Sequence, residues 1–376
     1  MKKAIIFLIL CCISLTLQAQ QSTVVQDTIP FRNDLGIIII PMTFNGVEKQ
    51  FAFDTGAQVT LAFSWAKDEL KSTSKKINLT SSNGSKTKLR YYKSGIINLG
   101  SREIKKHRIL RTNDSDIFSC YNIDGVLGVD ITQHFNWTID FKKKILIMSP
   151  SDFYPDEVKE MHALDFDYKN TRPSVFMEMN GKKIQFLLDT GARDSDVKKS
   201  QYRFIHLDEY PKTKFYSGFY DFNGTLTKTE STTVLLPEIK SGEVTITPAV
   251  DYGKQTTKIG NSLWKDKRLF LSLKNDELYV SDSSIKDDSW SYDCAAVIKD
   301  GKMVVFLIRE GSEAWKRGVR RGDQIKAING KVFTDFCSLN KYQGQLKKEN
   351  KDIEFEFVNG EKLTVQRKRL FMNPKK

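Results

Sequence analysis

The sequence predicts a mainly β chain, made of two related β halves followed by a smaller α+β domain. Three observations carry this. A strand–turn–strand phrase occurs twice in register; most apolar runs are short and bounded by turn residues; and the pattern changes after residue 290. The first copy reads Phe51-Ala52-Phe53-Asp54-Thr55-Gly56-Ala57 and the second Phe186-Leu187-Leu188-Asp189-Thr190-Gly191-Ala192. Asp54 and Asp189 stand 135 positions apart, and so do the hairpin turns Asn45-Gly46 and Asn180-Gly181 before them. Asp and Gly are ordinary turn residues, so one Asp-Thr-Gly says little. Two in register, each behind the same hairpin, say much more.

Taken in order, residues 1–19 read as a secretory leader, with Lys2-Lys3, an apolar run from Ala4 to Leu15 and a Leu17-Gln18-Ala19 cleavage site. Leu10 precedes Cys11 where a small residue is wanted, which argues against a lipid anchor, and no later run is apolar enough to cross a membrane. The expected product is an exported protein, periplasmic or secreted. Residues 20–29 are polar and read as loose. In the first half, 30–148, strands at 37–44 and 50–53 lead to the first Asp-Thr-Gly, and apolar spacing from Leu61 to Leu70 predicts a helix. A hairpin follows with its tip at Asn83-Gly84. Strands at 95–99 and 108–111, the run Val126-Leu127-Gly128, a short helix at 129–135 and a closing hairpin complete the half.

Residues 149–165 read as a linker. The second half, 166–281, repeats the plan, with a helix near 197–204, a hairpin tip at Asn223-Gly224, and Ile259-Gly260 answering Leu127-Gly128. In the last domain, 290–370, Ser312 caps a short helix, Gly318 ends it, and Asn329-Gly330 turns a hairpin; a helix near 337–348 and strands at 352–358 and 362–367 finish it.

An apolar share of 40% and a charged share of 28% are those of a globular protein. The net charge of +13 comes from scattered Lys and Arg, often beside Asp or Glu, so the sequence argues against a nucleic-acid partner. His107, His134, His162 and His206 are isolated, with no His-Glu-x-x-His and no Cys pair, so neither metal nor cofactor is expected. No Gly-x-Ser-x-Gly nucleophile turn occurs. Beyond the leader there are three cysteines. Cys294 and Cys337 share the last domain and could pair in an oxidising compartment, or both could be buried thiols.

If the two halves pack about a pseudo-two-fold axis, each apolar strand delivers its Asp to the junction, and Asp54 meets Asp189. Two adjoining carboxylates cannot both ionise, so the pair holds one proton. The ionised member is then a general base toward water, and the protonated member a general acid toward a carbonyl. Each Gly leaves room where the loops crowd, and each Thr hydroxyl can bond across to the opposite loop.

These motifs resemble those of retropepsin-like aspartic proteases, and two copies in one chain are similar to the two-lobed pepsin arrangement. The resemblance covers roughly residues 30–281. It implies two β-barrel lobes and a catalytic dyad of Asp54 and Asp189. It also implies supporting roles for Thr55, Gly56, Thr190 and Gly191, and flaps near Asn83-Gly84 and Asn223-Gly224. The second half departs from the first in Thr257-Lys258-Ile259-Gly260, and in Arg193, Asp194 and Asp196 after the motif. The phrase Gly311-Ser312-Glu313-Ala314 through Gly322-Asp323-Gln324-Ile325 to Ile328-Asn329-Gly330 resembles a PDZ domain. That likeness implies a groove for an extended peptide, with its carboxylate loop at Tyr292-Asp293-Cys294-Ala295, Asp293 standing where Gly would be expected. The expectation is an exported aspartic endopeptidase, a monomer with intramolecular lobe pairing, acting on peptide or protein substrates. The alternative is a non-catalytic scaffold that uses the cleft and the PDZ groove as peptide clamps.

Overall fold

A computed structural model describes residues 25–80, 84, 86–201, 209–220, 226–254, 256–288 and 290–371. The expected leader, and Asn83, Asn223 and Gly224 of the expected flap tips, lie outside the described residues. The described chain is mainly β, and none of its helices is long and apolar enough to cross a membrane.

The repeated hairpins form for a local reason. Asn45 and Gly46 have φ of +50° and +87°, and Asn180 and Gly181 have +49° and +69°. A two-residue turn with both φ positive matches the right-handed twist of the strands it joins, and Asn-Gly is the pair that adopts it at least cost. It folds Ile39–Phe44 onto Val47–Phe53 and Arg172–Met179 onto Lys182–Leu188. The second strand of each pair is buried where it approaches its Asp. There it gains a parallel partner, Gly125–Leu127 in the first half and Lys258–Ile259 in the second.

The halves share a six-stranded sheet in the order Asp27–Pro30, Ile145–Pro150, Phe135–Asp140, Arg268–Ser272, Glu277–Val280 and His162–Ala163. Its two middle strands come from different halves and pair antiparallel, with Trp137 opposite Leu271. Both side chains are fully buried, and Phe53, next to Asp54, packs edge-on against Trp137 at 4.8 Å. The closing hairpins thus fix the distance between the two Asp-Thr-Gly loops.

Several local expectations change. Part of the stretch read as loose, and part of the linker, become the sheet's outer strands, because each finds a strand edge to cover. The helix expected from Leu61 to Leu70 shrinks to Ala66–Glu69. Leu61–Ala62 is instead a strand between Gly125–Leu127 and Arg108–Arg111, so tertiary pairing overrides the apolar spacing. The helix expected near 197–204 begins as the strand Ser195–Lys198 and a single 3-10 turn, Lys199–Gln201, and its remainder lies outside the described residues.

After residue 290 the chain builds a separate core around Ile308, Ile328, Leu339 and Phe355. Ser312 caps Glu313–Lys316 by accepting from the Trp315 N–H, and Asp335 caps Phe336–Lys348 by accepting from the Ser338 N–H. Strand pairing, a disulfide and the Lys348–Asp34 ion pair tie this unit to the rest. Its strand Lys302–Arg309 pairs antiparallel with Lys212–Tyr220 of the second half, where Tyr216 stacks on Trp315 at 5.2 Å. Cys337, at the start of the long helix, forms a disulfide with Cys120 of the first half, 217 residues away. Of the two readings left open for Cys294 and Cys337, pairing with each other or buried thiols, Cys294 follows the second as a free thiol buried in the core, while Cys337 is bonded to Cys120 instead. Cys120→Ser or Cys337→Ser should lower unfolding free energy by about 2–4 kcal/mol. Denaturant titration without reductant checks this, and a midpoint equal to that of the unsubstituted protein would contradict it.

Candidate active site

Asp54 ends the strand Val47–Phe53, and Asp189 ends Lys182–Leu188. The Asp54 N–H donates to the Leu127 carbonyl and the Asp189 N–H to the Ile259 carbonyl, each at 3.0 Å. The parallel neighbours therefore hold both Asp backbones in the same way.

The loops are locked together by four bonds through two buried threonines. The Thr55 hydroxyl donates to the Leu188 carbonyl at 2.6 Å and accepts the Thr190 N–H at 3.1 Å. The Thr190 hydroxyl donates to the Phe53 carbonyl at 2.7 Å and accepts the Thr55 N–H at 3.0 Å. Each hydroxyl thus closes one donor and one acceptor of the opposite strand end. Both threonines are 1% exposed, so no water can replace these bonds.

This lock forces the carboxyls together. A Cβ placed on Gly56 would lie 2.8 Å from Asp189 Cγ, and one on Gly191 would overlap Asp54 Cγ. Each glycine is the space that the opposite carboxyl occupies. The Asp54 and Asp189 carboxyls hydrogen-bond to each other. Asp54 Oδ1 also accepts the N–H groups of Gly56 and Ala57, at 2.7 and 3.1 Å. Burial, and then the neighbouring Asp189 charge, push the Asp54 carboxyl up to about 8, against the pull of the Gly56 N–H and of Lys258.

The dyad is not symmetric. Lys258 Nζ lies 3.1 Å from Asp189 Oδ2 and 3.6 Å from Asp196 Oδ2. Burial disfavours this ammonium, but Asp189, Asp196 and Asp54 overrule it and hold its pKa above the ordinary lysine range. Asp196 is itself pushed up to about 7, mainly by burial. Arg193 and Asp194 pair with each other. The Thr257-Lys258-Ile259-Gly260 departure is visible in the sequence, but the place of its charge beside the two carboxyls is not. The signal was present: where the first half pairs Leu61 with Val126, the second pairs Asp196 with Lys258.

The remaining expected site residues scatter. Gly84 is an exposed bend with φ of +85° and open space around it. Tyr292, Asp293 and Cys294 are buried, and Ala295 half-buried, so these four form no open loop. The Tyr292 hydroxyl donates to the Lys351 carbonyl at 2.6 Å, with the Leu346 carbonyl 3.2 Å away, and Asp293 pairs with Arg309. The edge of Cys294–Lys299 is occupied as well. The Gln343 side-chain amide donates to the Ala296 carbonyl and accepts its N–H, both at 2.9 Å, as a bound strand would. Among the described residues no group of three or more His, Cys, Asp or Glu is placed to hold a metal ion.

A mainly β fold with Asp-Thr-Gly after a buried strand is consistent with an aspartyl-protease type of domain. Residues 40–131 match the family model described as Aspartyl protease, which supports such a domain, and hence a hydrolase, in that stretch. The match includes Asp54-Thr55-Gly56 and stops before Asp189. No curated protein matches the chain.

Proposed function

We propose that this chain is an exported aspartic endopeptidase with two retropepsin-like lobes, residues 30–148 and 166–281, joined by 149–165. Asp54 and Asp189 are its catalytic pair, and a PDZ-like domain at 290–370 completes it. The observation that carries the reading is the four-bond threonine lock that drives two carboxyls from different halves into one hydrogen bond. In this mechanism the ionised carboxylate takes a proton from water as the water oxygen bonds to the scissile carbonyl carbon. The carbonyl oxygen takes the proton of the other carboxyl. The tetrahedral intermediate then breaks its C–N bond; the amine leaves with the proton held by the first carboxylate, and the second carboxyl recovers its own.

A single retained proton has a pH consequence. Asp54 must be protonated, and it ionises near 8. Cleavage should therefore be lost as pH rises through about 8, and not regained above it. The rate of cleavage of an unstructured protein across pH checks this, and activity that climbs past pH 9 would contradict it.

The last domain serves more readily as a brace than as a peptide receptor. The Gln343 amide fills the strand edge that an added peptide would use. Meanwhile Lys302–Arg309 adds a strand beside Lys212–Tyr220. An ammonium on one carboxyl of the pair, Lys258 on Asp189, is the observation that favours the non-catalytic clamp. Incubating the purified mature protein with a peptide library and reading the products by mass spectrometry decides: defined cleavage sites that vanish with Asp54→Asn support the enzyme, and intact peptides at every pH support the clamp.

A further inference from the structure

We infer that Lys258 is a positioning residue that breaks the symmetry of the pair, holding Asp189 as the ionised base and leaving the shared proton on Asp54. The inference rests on the aspartic-protease reading and deepens it.

The two halves carry copies of one local architecture that differ at one place. In the first half, Val126 sits beside Ala52 in parallel pairing and opposite Leu61 in antiparallel pairing. In the second, Lys258 sits beside Leu187 and opposite Asp196 in the same two ways. Val126 and Leu61 are 5% and 4% exposed, an apolar pair under the Asp54 loop. At the matching place under the Asp189 loop the chain carries an ion pair. A buried ion pair costs desolvation energy that an apolar pair does not, so it is a poor means of stability alone. What it supplies here is a positive charge on one side of the dyad. Lys258 Nζ is 3.1 Å from Asp189, while its side chain is only 14% exposed. Asp196 anchors the ammonium from behind, keeping it from swinging out to solvent.

The surroundings agree. On the Asp54 side the carboxyl meets the N–H groups of Gly56 and Ala57 and the Asp189 carboxyl, and Val126 and Leu61, which stand where the second half has Lys258 and Asp196, bring no charge. On the Asp189 side, Lys258 faces Asp189, Asp196 and, farther off, Asp54. Behind Asp196 lie Asp251 and Lys254 of Ala249–Lys254, together with Asp194. Asp194 is paired with Arg193, and the field of both reaches Lys347 of the long C-terminal helix. Lys258 is the cation in contact with the dyad among these groups. An opposite charge at this distance favours the charged form of the carboxyl it touches. Asp189 therefore takes the water proton, and Asp54 donates to the substrate carbonyl.

The test compares kcat/KM against pH for the unsubstituted protein, Lys258→Met and Lys258→Arg. In Lys258→Met the acid limb, which reports ionisation of the first dyad carboxyl, should move up by about one to three pH units, and Lys258→Arg should bring most of it back. Lys258→Met leaves Asp196 unpaired, so a second variant guards against misfolding. Lys258→Val with Asp196→Leu rebuilds the Leu61–Val126 arrangement and should show the same displaced limb. A uniform fall in rate with an unmoved limb would make Lys258 merely structural, and a gain of activity at all pH would make it inhibitory; either overturns the inference. A second readout does not need turnover. With ¹³C-labelled aspartate, the midpoint of the first dyad ionisation should rise in Lys258→Met. If it does not move, the inference fails even if the enzyme is active. If it moves while the unsubstituted protein cleaves nothing, the placing of the proton on Asp54 by Lys258 stands and the protease reading fails.

Discussion

Asp54→Asn and Asp189→Asn should each lower peptide cleavage by about 10²–10⁴-fold, with little change in substrate binding. The carboxamide keeps the size of each side chain, so Gly56 and Gly191 still admit it and the loops keep their places. What is lost differs at the two positions. In Asp189→Asn the side chain cannot accept a proton from water, and in Asp54→Asn it cannot release one to a carbonyl as a carboxylic acid does. The two effects belong to one proton-sharing unit, so the double variant should be scarcely worse than either single one. Initial rates on one peptide, with KM measured separately, check this. Rates within a few-fold of the unsubstituted protein would remove both residues from the chemistry.

Thr190→Val should cost about 2–6 kcal/mol of stability and most of the activity. Valine matches threonine in shape, so packing barely changes. The variant strips the Phe53 carbonyl of its donor and the Thr55 N–H of its acceptor, both deep in the junction. A buried backbone group left unpaired costs about 1–3 kcal/mol, and two are left here. Adding Thr55→Val strands the Leu188 carbonyl and the Thr190 N–H in turn, but in a junction already loosened. The pair should therefore be less than additive. Chemical unfolding of the four proteins of this cycle measures it, and strictly additive losses would mean that the two threonines do not act as one lock. In both single variants the carboxyls lose their enforced contact, so activity should fall further than stability alone explains.

The core of this arrangement was legible in the chain. An Asn-Gly turn, an apolar strand and Asp-Thr-Gly are local signals with local causes, and their repetition at one offset announced that two loops would meet. The Thr hydroxyls could be assigned a cross-loop bond because a short polar side chain at a buried strand end must find a partner. What was hidden depended on contacts distant in sequence. Cys120 and Cys337 carry no spacing signal across the 217 residues between them, and only the docking of the last helix on the first half brings them together. Leu61 and Ala62 share apolar spacing with a helix, and two strand partners decide otherwise. The first and last strands of the shared sheet are short and partly polar, so nothing local distinguishes them from a loose end or a linker. Lys258 lay between. Aligning the two copies sets it against Val126, and Asp196 against Leu61, and an opposite-charge pair replacing an apolar pair beside an Asp-Thr-Gly loop is a readable departure. Its contact with Asp189 needed the fold.

The claim beneath all of this is that carboxyls from two halves of one chain act together on a single substrate centre. Titration calorimetry with a statine-type peptide, whose hydroxyl stands in for the attacking water, tests it most directly. The account predicts tight binding of one peptide per chain, lost with Asp54→Asn and lost equally with Asp189→Asn. Binding that survives either substitution unchanged would contradict it.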